Sequence, residues 1–153
     1  MIEFNFEYLG SFSESETRMI VKKAISEVLK EMDFKKKYYL SVLLTDNNGI
    51  KKINKQYRKI NKSTNVLSFP QNENRRTGKS SSIVLGDIVV SLEKVYEESL
   101  KEEKHFYNHL SHMIIHSLLH LLGFDHDTKK NFEVMKKKEI FILSKLSISS
   151  PYK

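Results

Sequence analysis

The chain has 153 residues, enough for one domain with a substantial core. It contains no cysteine, which excludes a disulfide framework and a thiolate metal site, and no run approaches the roughly eighteen apolar residues of a membrane span. With 26 Lys and Arg against 19 Asp and Glu the net charge is +7, a balance that suits a polyanionic partner without proving one. Ile2, Phe4 and Phe6 alternate with Glu3, Asn5 and Glu7, the pattern of a half-buried strand. This acidic start has neither the basic residues nor the apolar run of a signal peptide, so a cytoplasmic protein is expected.

Ser13 or Ser15 can cap the helix that follows, whose apolar positions Met19, Ile20, Ala24, Ile25, Val28, Leu29 and Met32 recur at helical spacing. A β-branched and aromatic run predicts a strand over 38–45, ended by the turn signal Asp46-Asn47-Asn48-Gly49. A helix with Ile50, Ile53, Tyr57 and Ile60 on its apolar side comes next, then a short strand over 65–69 stopped by Pro70. Residues 71–82 are polar and read as a mobile surface loop long enough to be suspected of function. A buried strand over 83–91, a charged helix over 93–103, a histidine-bearing helix over 105–122 and, after Asp127-Thr128, an amphipathic helix to about Lys145 come next, before a short tail ends the chain. No repeat and no Pro-, Gly- or Ser-rich linker divides it. The expected architecture is a single α+β domain over residues 1–153, a small mixed sheet packed by about five helices.

The most informative run is His116-Ser117-Leu118-Leu119-His120-Leu121-Leu122-Gly123-Phe124-Asp125-His126. Residues four apart on a helix share a face, about 6 Å apart along the axis, so His116 and His120 can aim at one point. Gly123 permits a left-handed end to the helix, and the turn beyond it would return His126 to the same point. Three imidazoles with one position left open describe a catalytic zinc site, since a structural site is closed by a fourth protein ligand. The spacing is that of zincin-like metalloproteases, the metzincins, but those carry Glu directly after the first His as general base. Here that position is Ser117, which cannot accept a proton near neutral pH, so another metal-assisted hydrolysis is favoured over peptide cleavage.

Lys51, Lys55, Arg58, Lys59 and Lys62 stand opposite the apolar side of the second helix. For the lysines a solvated face is the default reading. Arg58 differs, because a guanidinium can hold a phosphate through two parallel hydrogen bonds. It precedes Thr64-Asn65-Val66-Leu67-Ser68-Phe69-Pro70, which contains nothing reactive. Tyr57-Arg58, residues 64–70, Leu85-Gly86-Asp87-Ile88 and the histidine run together resemble the YbeY family of bacterial endoribonucleases. The resemblance is collinear and extends from the strand near Tyr38 to the final helix. It implies zinc, one ion per chain, on His116, His120 and His126, with Arg58 as the essential arginine. It further implies cleavage of single-stranded RNA, 3′-end maturation of small-subunit rRNA, ribosome quality control, and contact with small ribosomal subunit proteins. Asn65 and Ser68 are candidate substrate contacts along a strand edge that would lay RNA across the metal. Ser117 stands where the family usually has Gly, and Phe124 where it usually has Tyr.

Several other residues have blander readings. His112 is expected to be a partly buried histidine, while His105 and His109 are expected to be solvated. Asp125 either orients a ligand imidazole or bonds to its own turn. Asp87 reads as a structural carboxylate accepting backbone N–H groups. No general base is identified, and whether a metal-activated water or the RNA 2′-OH attacks phosphorus stays open. The rivals are a divergent metallopeptidase, opposed by Ser117, and a non-catalytic RNA- or ribosome-binding protein stiffened by its metal.

Overall fold

The alternating N-terminus forms β1 (Ile2–Phe6), an edge strand with one half-buried and one exposed face. In the computed structural model residues 1–71 and 82–152 are described, so the expected loop lies, over 72–81, outside the described residues. α1 (Glu14–Glu31) starts at Ser13, whose hydroxyl accepts the Glu16 N–H. Its buried stripe is Thr17, Val21, Ala24, Ile25, Val28 and Leu29. Met19 falls about 200° around the helix from Thr17 and is 53% exposed, so it does not belong to the core face expected for it.

After β2 (Tyr38–Thr45) the expected turn is instead a helix start. Asp46 caps α2 (Asn47–Arg58) by accepting the Gly49 N–H at 2.8 Å. Asp, Asn and Gly serve turns and helix caps alike; here burial of Ile50 and Asn54 keeps the chain helical beyond the cap. The helix ends at Lys59, a left-handed residue with φ 60°, and this turns Ile60 away from the apolar side. Ile60 is 48% and Tyr57 64% exposed, contrary to the expected stripe.

β3 (Val66–Pro70) and β4 (Ile83–Ser91) complete a sheet of order β1-β2-β4-β3, parallel except for antiparallel β3 at the edge. Gly86 permits this pairing: a Cβ there would lie 2.3 Å from the Phe69 carbonyl oxygen. α3 (Leu92–Lys101), α4 (Phe106–Leu121) and α5 (Lys129–Lys145) follow, which confirms the α+β class with five helices and a mixed sheet. α4 packs on α1, α3, α5 and β3, and its Leu110, Ile114, Ile115, Leu118 and Leu119 are fully buried. Each such side chain contributes about 1.5–3 kcal/mol, so the histidines ride on the most firmly held element. α2 covers the other sheet face through the smaller cluster of Ile50, Leu67 and Val89. No helix among the described residues is long and apolar enough to cross a membrane.

Candidate metal centre

α4 ends as the glycine predicts. The Gly123 N–H bonds to the His120 carbonyl and the Phe124 N–H to the Leu119 carbonyl, with Gly123 at φ 104°. This paired closure is a Schellman motif, and it turns the chain back across the last helical turn. His126 thereby joins His116 and His120: its ring centroid lies 5.6 Å from the first and 4.8 Å from the second. One ligand nitrogen from each of the three lies within 4.8 Å of the others.

The tautomers are set from behind. His116 Nδ1–H donates to Glu139 Oε2 at 2.8 Å, and His120 Nδ1–H donates to the Phe124 carbonyl at 3.0 Å. Both Nε2 lone pairs then face each other, with 3.2 Å between the nitrogens. Two bare lone pairs at that distance repel, and a cation between them removes the repulsion. Ligand nitrogens about 2.0–2.1 Å from a tetrahedral zinc stand roughly 3.3–3.4 Å apart, so the pair fits such an ion. Burial, then the neighbouring His116 and His126, push the His120 pKa down, which favours the neutral form that can ligate. Phe124 contributes through its carbonyl, which no side-chain change removes, while its ring packs against the core.

Glu139 is the residue that sequence reasoning missed. It is 1% exposed on α5 and accepts from His116 Nδ1, from His112 Nε2 at 2.6 Å and from the Tyr152 hydroxyl at 2.7 Å. Burial pushes its carboxyl up, but these three hydrogen bonds prevail and hold its pKa at about 2. The Tyr152 hydroxyl is pushed up by burial and by Glu139, so it stays a donor. One signal was available: Glu139 occupies the buried stripe of α5 with Met135, Ile142 and Leu143, where a charge requires partners.

The imidazoles open into a cleft of about 330 Å³ that also brings together Arg58, Asn65, Ser68, His112, Ser117 and Tyr152. Arg58 Nη2 donates to the Ser68 carbonyl at 2.8 Å, and the guanidinium lies over the Phe69 ring, 5.2 Å from its centroid. Asn65 lines the cleft with its amide tied to Glu98. Ser117 is buried, and its hydroxyl has no partner among the described residues.

The remaining residues sort by their surroundings. His112, expected to be partly buried, is more fully buried than that, at 8% exposure, because its Nε2 donates to Glu139. His109 is buried too, at 5% exposure, rather than solvated, because Glu98 accepts from it at 2.8 Å. His105 is exposed, and its Nδ1 accepts the Tyr107 N–H at the start of α4. Asp125 bonds to the His126 N–H and so shapes the turn. Asp87 accepts from the Ser41 hydroxyl and the Gln71 amide, side chains rather than the expected backbone.

Fold and site together define an α+β protein whose central buried helix and the turn after it present three imidazoles beside an edge strand. A family model described as Endoribonuclease YbeY matches residues 3–147. A protein named Endoribonuclease YbeY from Bartonella quintana (strain Toulouse) is 47% identical over 113 residues, 74% of this chain and 71% of its own. One of the same name from Bartonella henselae is 42% identical over 134 residues, 87% of this chain and 84% of its own. The solution structure of TM1509 from Thermotoga maritima superposes with a TM-score of 0.59 at 26% identity, covering 100% of this chain and 99% of that one. The chain belongs to the YbeY endoribonuclease family.

Proposed function

We propose that this chain is a zinc-dependent endoribonuclease that cleaves single-stranded RNA in 3′-end maturation of small-subunit rRNA and in ribosome quality control. Family membership and the names of the two Bartonella relatives support the endoribonuclease reading. The observation that carries it is the cleft, where three imidazoles meet the Arg58 guanidinium and no Asp or Glu is among the described lining residues. A peptidase of this geometry would need a carboxylate there as base; a phosphodiester, already anionic, is better matched by an arginine.

His116, His120 and His126 would hold one zinc ion. When bound, it supplies Lewis acidity beside the scissile phosphate. Glu139 and the Phe124 carbonyl keep the two helical imidazoles in the ligating tautomer. Arg58, braced by the Ser68 carbonyl, would grip a phosphate oxygen and stabilise charge developing on it during cleavage. Asn65 and Ser68 would guide the strand along the edge of the sheet. The small ribosomal subunit, with its RNA and proteins, would be the cellular partner, and the cytoplasm the place of action.

The test is turnover of single-stranded RNA and of casein by zinc-loaded protein, with Arg58→Ala and Arg58→Lys alongside. RNA should be cut and casein left whole. Arg58→Ala should retain zinc and lose most cleavage, with poor rescue by lysine, whose point charge lacks the planar fork. In cells lacking the protein, rRNA precursor with an unprocessed 3′ end should accumulate and His116→Ala should not correct it. Correction by that metal-free variant would make the role scaffolding.

A further inference from the structure

On the opposite side of β3 from the metal cleft, a cavity of about 580 Å³ opens between the end of α2 and the sheet. Tyr57 and Phe69 wall it, Ile53 and Val89 lie beneath, and Gln56 and Asp87 supply polar groups. The two rings are 5.6 Å apart at 60°, and Tyr57 leaves 64% of its surface in solvent. An aromatic side chain so exposed contributes little to the core.

We propose that this cavity is a nucleobase subsite for the nucleotide whose phosphate Arg58 holds, an assignment that rests on the RNA reading above. Arg58 links the two sides of the edge strand. Its guanidinium bonds to the Ser68 carbonyl, on the cleft side, and covers the Phe69 ring, which walls the cavity. A phosphate at that guanidinium therefore has aromatic surface within reach of its own base. Bases that are not paired stack readily on exposed aromatic rings, the common means of holding single-stranded RNA. The carboxylate decides which end of the nucleotide enters. Asp87 repels phosphate, yet it can accept a hydrogen bond from an exocyclic amino group such as cytosine N4. Among the described residues each of its oxygens accepts one bond, from Ser41 or Gln71, and a carboxylate has room for about four. The subsite should therefore prefer cytosine to uracil.

The experiment is NMR titration of the metal-loaded protein with cytidine 5′-monophosphate, uridine 5′-monophosphate and ribose 5-phosphate, none of which offers an internucleotide bond to cut. Cytidine monophosphate should shift the Tyr57 and Phe69 ring signals and bind more tightly than uridine monophosphate; ribose 5-phosphate, which reaches Phe69 only through Arg58, should leave the Tyr57 ring unmoved. Tyr57→Ala should abolish the effect and Tyr57→Phe retain it. With single-stranded RNA, Tyr57→Ala should raise KM roughly tenfold, the scale of one lost stacking contact. Asp87→Asn should erase the difference between the two pyrimidines. A Tyr57 ring that does not shift with cytidine monophosphate, or shifts equally with ribose 5-phosphate, would overturn the subsite, and equal binding of the two pyrimidines by wild type would overturn the role of Asp87. If the nucleotide binds at the rings while wild type cuts no RNA, the subsite stands and the nuclease reading falls.

Discussion

In the first half of α4, His109 and His112 turn their Nε2 atoms to carboxylates of other helices, Glu98 on α3 and Glu139 on α5. In the second half, His116 and His120 direct Nδ1 toward an acceptor and leave Nε2 facing Nε2. The intervals are those of one helix face in both halves, so spacing is not the difference. The second half has acceptors placed behind the rings and a glycine turn that brings in a third imidazole. In the first half, Glu98, Glu102 and His109 also lie close enough to share an ion, but Glu98 already accepts from His109 and Asn65. In the first half too one ring nitrogen is engaged, and the other, Nδ1, has no partner among the described residues. What sets the second half apart is that its Nε2 atoms converge with a third imidazole on one open cleft.

Deleting one histidine from each half should have the largest effect. His120→Ala should reduce zinc from about one atom per chain to none, because two imidazoles cannot replace a three-ligand site. His109→Ala should retain it. Elemental analysis of the two purified variants decides, and equal zinc in both would refute the division.

Glu139→Gln should act next most strongly. Losing a carboxylate behind a ligand histidine typically weakens metal binding by about 10–100-fold. Competition with a chromophoric chelator measures this, and an unchanged affinity would mean that His116 needs no orienting partner.

The Glu98–His109 pair should affect stability and not metal. Its hydrogen bond to His109 is the largest cause holding the Glu98 carboxyl below its ordinary value. A carboxylate lowered by folding stabilises fully above its ordinary value, near 4.5, and that stabilisation is lost as pH falls toward the lower folded value. Glu98→Gln should therefore cost about 1 kcal/mol in urea unfolding at pH 7, and the gap from wild type should narrow at pH 3.5. A gap that widens in acid would reverse the assigned sign.

The smallest effect should come from His105→Ala. It removes one acceptor for the Tyr107 N–H at an exposed helix start, worth about 0.5 kcal/mol, with no change in zinc. A urea midpoint that moved by several times this amount would give His105 a role beyond the cap.

What was legible in the residues alone depends on near neighbours along the chain. Alternation gave β1, helical spacing put His116 and His120 on one face, and Gly123 marked where α4 turns back, since only local geometry is involved. Local signals misled where one residue type serves two purposes, as at Asp46, where turn and helix cap begin with the same side-chain bond. Tertiary structure alone decided that Glu139 and Tyr152, from the other side of α4, meet behind His116. It alone brought the Arg58 guanidinium from α2 to the Ser68 carbonyl, and it buried His109 against Glu98. These pairings join different elements of the fold. They have no period to read, and they form only because burial of α4 fixes which faces of α3, α5 and β3 come against it.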